Sequence, residues 1–162
     1  MLNLPEIITE KELIAMLKAT KKQHHRLAFA LGFYECMRVS EVVKLQPENV
    51  DKQLKLLYLK QAKGKKDRNI PIAPEVMTGL KHLPIKCGIR ALQIAFKNKL
   101  KEVLKRDDLT FHSLRHSGIT HYLTVKKWNS LEVQRLAGHS KIATTEIYAH
   151  INPAHLVERM WE

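Results

Sequence analysis

The apolar residues of TEKELIAMLKA fall at Leu13, Ile14 and Leu17, a helical interval, behind Thr9 and Glu12 at capping-box spacing. A first helix is therefore predicted to start near Thr9. A second is predicted over 22–34, and RVSEVVKL reads as a short third helix capped by Ser40, with Pro47 and Asn49 breaking the pattern after it. The period then changes. LKLLYLK and RNIPIAP are β-type runs joined by QAKGKKD, whose Gly64 and charges suit a turn, so 54–72 is predicted as a hairpin. Helices are predicted again over 74–83, 88–105, 113–125, 130–137 and 142–148, with a last one after Asn152 and Pro153. No internal repeat, low-complexity tract or inter-domain linker is visible. The fold class is α+β, mainly α: a helical domain with one small antiparallel sheet.

Composition adds a direction. A chain of 162 residues with 44% hydrophobic residues and only 6 Gly and 6 Pro has the makeup of one globular core. Its 28 Lys and Arg against 16 Asp and Glu leave a formal charge of +12, an excess that attracts polyanions and gains from counterion release on DNA or RNA. An acidic membrane surface is the weaker match, because no single amphipathic helix gathers the charge against a Trp/Leu face. No apolar run approaches the roughly 20 residues of a membrane span, and the N-terminus has no signal-type segment, so a cytoplasmic, DNA-associated location is expected. Cys36 and Cys87 form neither a CxxC pair nor a disulfide framework and read as reduced packing residues.

Four separated patches carry residues suited to handling a phosphate diester. In CMRVSEVVKL, Arg38 precedes a helix start and Glu41 stands three residues on, within reach of its guanidinium. In QAKGKKDRNIPI, Lys63, Lys65, Lys66 and Arg68 crowd the turn, where basic residues contact phosphates nonspecifically or are simply solvated. In FHSLRHSGIT, His112 and Arg115 are three apart and share one side of a helical turn. In LAGHSKIATTEIYAH, His139 is followed nine residues later by Tyr148, whose phenol, with a reference pKa of about 10, needs a proton acceptor and nearby positive charge to act as a nucleophile. Each patch alone has a plain structural explanation: a surface ion pair, a solvated loop, a buried aromatic.

Together, RVSE, the lysine-bearing hairpin, HSLRH, LAGHS and IYAH resemble in order and spacing the catalytic domain of the tyrosine recombinases, also called the phage integrase family. The resemblance implies that Arg38, His112, Arg115, His139 and Tyr148 form the site with Lys63 of the hairpin, supported by Glu41, while Lys65, Lys66 and Arg68 bind DNA. Two departures stand out. Cys36 and Met37 replace a small residue and a leucine, which alters packing more than chemistry, and the catalytic-domain pattern begins almost at Met1, so the helical domain that commonly precedes it in the family is expected to be absent. A truncated piece or a naturally minimal enzyme is expected, with a catalytic domain over 1–151 and a tail helix over 152–162.

The resemblance further implies site-specific recombination of double-stranded DNA through a 3′-phosphotyrosyl intermediate, with no metal or other cofactor and no ATP. The sequence offers neither a Walker glycine loop nor a carboxylate cluster for Mg²⁺. The tail, with Leu156, Val157, Met160 and Trp161 on one side, is expected to pack onto a neighbouring protomer and drive self-association on DNA. Two rivals remain open: a type IB topoisomerase-like relaxing enzyme and a non-catalytic DNA-binding protein. A zinc hydrolase fails on its motif, because Ser113 and Leu114 follow His112 where HExxH needs a glutamate.

Overall fold

The computed structural model describes residues 6–60, 67–138 and 153–162. Thr9 and Glu12 close the predicted capping box at the start of α1 (Glu10–Ala19), which turns Leu13 and Met16 inward. The central element is α2 (Gln23–Tyr34), buried on every side from Leu27 to Tyr34. Against it lies α6 (Phe111–Thr124), and the approach is close: a Cβ on Gly118 would strike the Phe33 carbonyl oxygen, and one on Gly32 would come within 3.1 Å of Leu114. Around this pair stand α5 (Ile89–Leu104), which buries Leu92, Phe96 and Leu100 at intervals of four, and α7 (Ser130–Ala137). Burying each such side chain stabilises the fold by about 1.5–3 kcal/mol. Among the described residues no helix is long and apolar enough to cross a membrane.

The sheet has three antiparallel strands, β1 (Val50–Asp51), β2 (Leu56–Leu59) and β3 (Arg68–Pro71), where the sequence predicted two. β1 has only two residues, too few to show a period. The hairpin itself is present, with Leu57 opposite Ile70 and Leu59 opposite Arg68. Its first strand starts at Leu56 and not at 54, because Lys55 has φ 59° and closes the β1–β2 turn, leaving Leu54 exposed.

Three helix predictions are corrected. Helix α3 (Val39–Lys44) is capped at Arg38, not Ser40, and Glu41 accepts the Arg38 backbone N–H at 2.8 Å. The helix predicted over 74–83 is a single turn, α4 (Pro74–Met77), followed by a 3₁₀ segment at Thr78–His82, with Gly79 against Leu27 and Pro84 stopping any continuation. The sixth helix starts at Phe111, two residues early, because Thr110 caps it with Ser113 accepting the Thr110 N–H on its hydroxyl oxygen. The helix predicted over 142–148 lies outside the described residues.

The tail forms α8 (Pro153–Met160) and docks on its own chain. Leu156 and Met160 are buried, the Trp161 indole donates to the Ile72 carbonyl at 2.9 Å, and the Lys55 ammonium lies 3.9 Å from the centre of the Trp161 ring.

Candidate active site

The α2–α6 contact builds the site from beneath. After Tyr34 the chain turns through Cys36, whose φ of 52° is a conformation usually left to glycine. Its side chain is fully buried against α6, which offsets that strain, and its carbonyl accepts from Arg115 Nη1 at 2.6 Å. Arg115 reaches it from the middle of α6 and is only 3% exposed. Its other terminal nitrogen, Nη2, is buried and has no hydrogen-bond partner among the described residues. Burial, then the neighbouring Arg38, pushes the Arg115 pKa down to about 10, so it remains a cation at neutral pH. Burial also pushes the Cys36 thiol up, which makes it an inert packing group.

Glu41 organises the two other arginines. One carboxylate oxygen takes the Arg38 N–H and Arg68 Nη2 at 3.3 Å; the other takes Arg68 Nη1 at 2.5 Å, with Arg38 Nη1 at 3.8 Å. Arg68 is 7% exposed, so it is not the turn-tip cation that the basic run suggested: it is the first residue of β3, facing inward. It also meets Gly138, the αL residue that ends α7 at φ 68°, where an added Cβ would lie 2.7 Å from Arg68 Cζ. One guanidinium thus joins the hairpin base, the Arg38 helix and the end of α7. Sequence reasoning missed this role; its one signal was a glycine directly after a predicted helix.

His112 lies one turn before His116 on α6, their rings edge to face with centroids 4.7 Å apart. Partial burial, then the positive neighbours His116, Arg115 and Arg38, hold its pKa below 6.5. The structure therefore brings together Arg38, Glu41, Arg68, His112 and Arg115. Lys63, Lys65, Lys66, His139 and Tyr148 lie outside the described residues; the first three belong to the connection between Leu59 and Arg68, and the last two follow Gly138. Among the described residues, three arginines stand against one carboxylate, and Arg115 Nη2 and Arg68 Nε are buried without a hydrogen-bond partner, which makes a place for an anion with two or more acceptor oxygens.

The family model described as the phage integrase family matches residues 6–155. The XerA tyrosine recombinase of Thermococcus onnurineus is 32% identical over 177 residues, covering 95% of this chain and 61% of the relative. The integrase from mycobacterium phage Brujita superposes with a TM-score of 0.77 at 18% identity, over 98% of this chain and 57% of that one. The Tn1549 transposon integrase in complex with transposon right end DNA gives 0.72 at 18% identity, over 99% and 66%. The chain thus spans about three fifths of the length of the relatives it matches.

Proposed function

The chain belongs to the phage integrase family, and we propose on that premise that it cuts and rejoins double-stranded DNA at specific sites through a covalent phosphotyrosine. The observation that carries the reading is the buried Arg115 guanidinium beside Arg38, held by the Cys36 carbonyl on one nitrogen and, among the described residues, unsatisfied on the other. That is the arrangement a transferring phosphoryl group needs. Its two nonbridging oxygens would take N–H bonds from Arg115 and Arg38, and the charge of the crowded transition state would be neutralised without reorganisation. The Tn1549 integrase structure, a complex with DNA, supports the same partner for this fold.

In the cleavage step the Tyr148 oxygen bonds to phosphorus while the bond from phosphorus to the 5′-oxygen breaks; the phenol proton passes to His112, and Lys63 gives a proton to the departing oxygen. His139 adds a hydrogen bond to the phosphate. The bond energy stays in the adduct, so a 5′-hydroxyl attacking it restores the strand. Lys65 and Lys66 track the backbone nearby, while Arg68 acts through Glu41. We place the catalytic domain at 1–151. Self-association through the tail would require α8 to leave the seat that already buries Leu156 and Met160.

A nicked DNA duplex tests the reading. The protein should form a denaturant-resistant adduct with EDTA present, and Tyr148→Phe should bind the same DNA with little loss and form none. Adducts from the Phe variant, or a requirement for Mg²⁺, would overturn it.

A further inference from the structure

Away from the arginines, one place among the described residues gathers three metal-ligating side chains: His24, His25 and Cys87, each partly buried, with ligand atoms within 4.8 Å of one another. The two histidines open α2; Cys87 immediately precedes Gly88, the N-cap of α5. Cys87 Sγ lies 3.8 Å from His25 Nε2, and the two imidazoles meet edge to face with centroids 4.4 Å apart. Tetrahedral zinc, with bonds of about 2.3 Å to sulfur and about 2.0 Å to nitrogen, holds such a pair about 3.5 Å apart. For that pair closure by a few tenths of an ångström suffices, and with all three ligand atoms within 4.8 Å of one another a side-chain adjustment of about an ångström brings in the third. We propose that His24, His25 and Cys87 bind a thiophilic divalent cation of the zinc class, with water in the fourth position.

The surroundings suit a metal better than a reactive thiol. Burial, helped by Lys22, lowers both imidazole pKa values, so both rings offer lone pairs at neutral pH. Burial raises the Cys87 thiol, unlike the depressed thiols of nucleophiles and redox sensors. A bound metal removes that proton to solvent, and the thiolate then offsets part of the repulsion from Lys22 and Lys86. The Lys86 backbone N–H donates to His24 Nδ1 at 3.2 Å and holds that ring beside the Cys87 segment; being exposed, it can turn to water when the metal binds. Such a site would staple the start of α2 to the approach of α5.

Co²⁺ is the probe. One equivalent added to the reduced, purified protein should give a thiolate-to-cobalt charge-transfer band, and Zn²⁺ should bleach it. Cys87→Ser should abolish the band while Cys36 is still present, and His25→Ala should weaken binding at least tenfold, with both variants checked for folding by far-UV circular dichroism. Zn²⁺ should raise the Tm of the parent protein and not that of Cys87→Ser. The pair His112 and His116 could take cobalt without sulfur and so cannot produce the band. No band in the parent protein, or a band that survives Cys87→Ser, overturns the proposal.

Discussion

Glu41 and Glu132 stand at the same place in their helices and serve different ends. Each is the third residue of a helix and turns one oxygen back to the N-cap N–H, that of Arg38 at 2.8 Å and that of Asn129 at 3.0 Å. Each gives its other oxygen to an arginine 27 residues further along the chain, Arg68 or Arg159. Among the described residues around Glu41 the cations Arg38, Arg68 and Arg115 outnumber the carboxylate, a surplus that favours an anion. Around Glu132 the charges close on themselves: His155 adds a contact at 2.8 Å, and Arg159 reaches on to Glu162 at 2.6 Å. The same cap therefore holds a charged site open in one region and clasps α8 to the body in the other.

Removing the distant arginine from each should separate the two most sharply. Arg68→Met takes from the buried Glu41 the guanidinium that meets both of its oxygens, and should cost about 3–5 kcal/mol in urea unfolding. Arg159→Met leaves Glu132 with the Asn129 N–H and His155, and should cost about 1.5–3 kcal/mol. Adduct formation should fall in Arg68→Met, because Glu41 then draws on Arg38. Equal losses of both kinds in the two variants would mean that the networks differ only in position.

A smaller effect sharpens the Glu41 side alone. Gly138→Ala places a methyl group in a left-handed conformation, which costs about 1–2 kcal/mol, and drives it against a guanidinium that Glu41 pins in place. In an Arg68→Met background only the backbone strain should remain, so the double-mutant cycle should show coupling. Strict additivity would mean that Arg68 yields freely and does not tie α7 to the hairpin.

These pairs also mark what the sequence discloses. The Thr9–Glu12 box, the Arg38–Glu41 spacing and the His112–Arg115 turn are local, within four residues, and each is legible in the order of residues alone. The Glu41–Arg68 bond spans 27 residues and leaves no period, so Arg68 reads as one more cation in a basic run. Cys36 is legible as a packing residue, but not as the carbonyl that holds Arg115, since that depends on a left-handed turn and on the Gly118 crossing. Helix α6 is marked by its chemical residues more than by its pattern. It buries Arg115, Ser117, Gly118 and His121 along with Phe111, Leu114 and Tyr122, so its inner face is not an apolar stripe.

The smallest effect concerns the base beside these arginines. His112 has its pKa below 6.5, through partial burial first and then His116, Arg115 and Arg38. Well above pH 6.5 the ring is neutral both folded and unfolded, so it contributes no pH dependence there. As the pH falls through 6.5 the unfolded chain takes the proton first, stability drops, and the loss levels off below the folded pKa. His24, His25 and His121 shift the same way and steepen the same acid limb. For His112 itself, the imidazole Cε1–H resonance should titrate with a midpoint below 6.5 in the DNA-free protein, and Arg38→Ala should raise that midpoint. A phosphate seated on Arg38 and Arg115 should raise it too, since a nearby anion favours the imidazolium. Thus inorganic phosphate should move the His112 midpoint upward while leaving His24 and His25, at the far end of α2, less affected. A midpoint at or above 6.5 without phosphate would show that the surplus of positive charge does not reach the base.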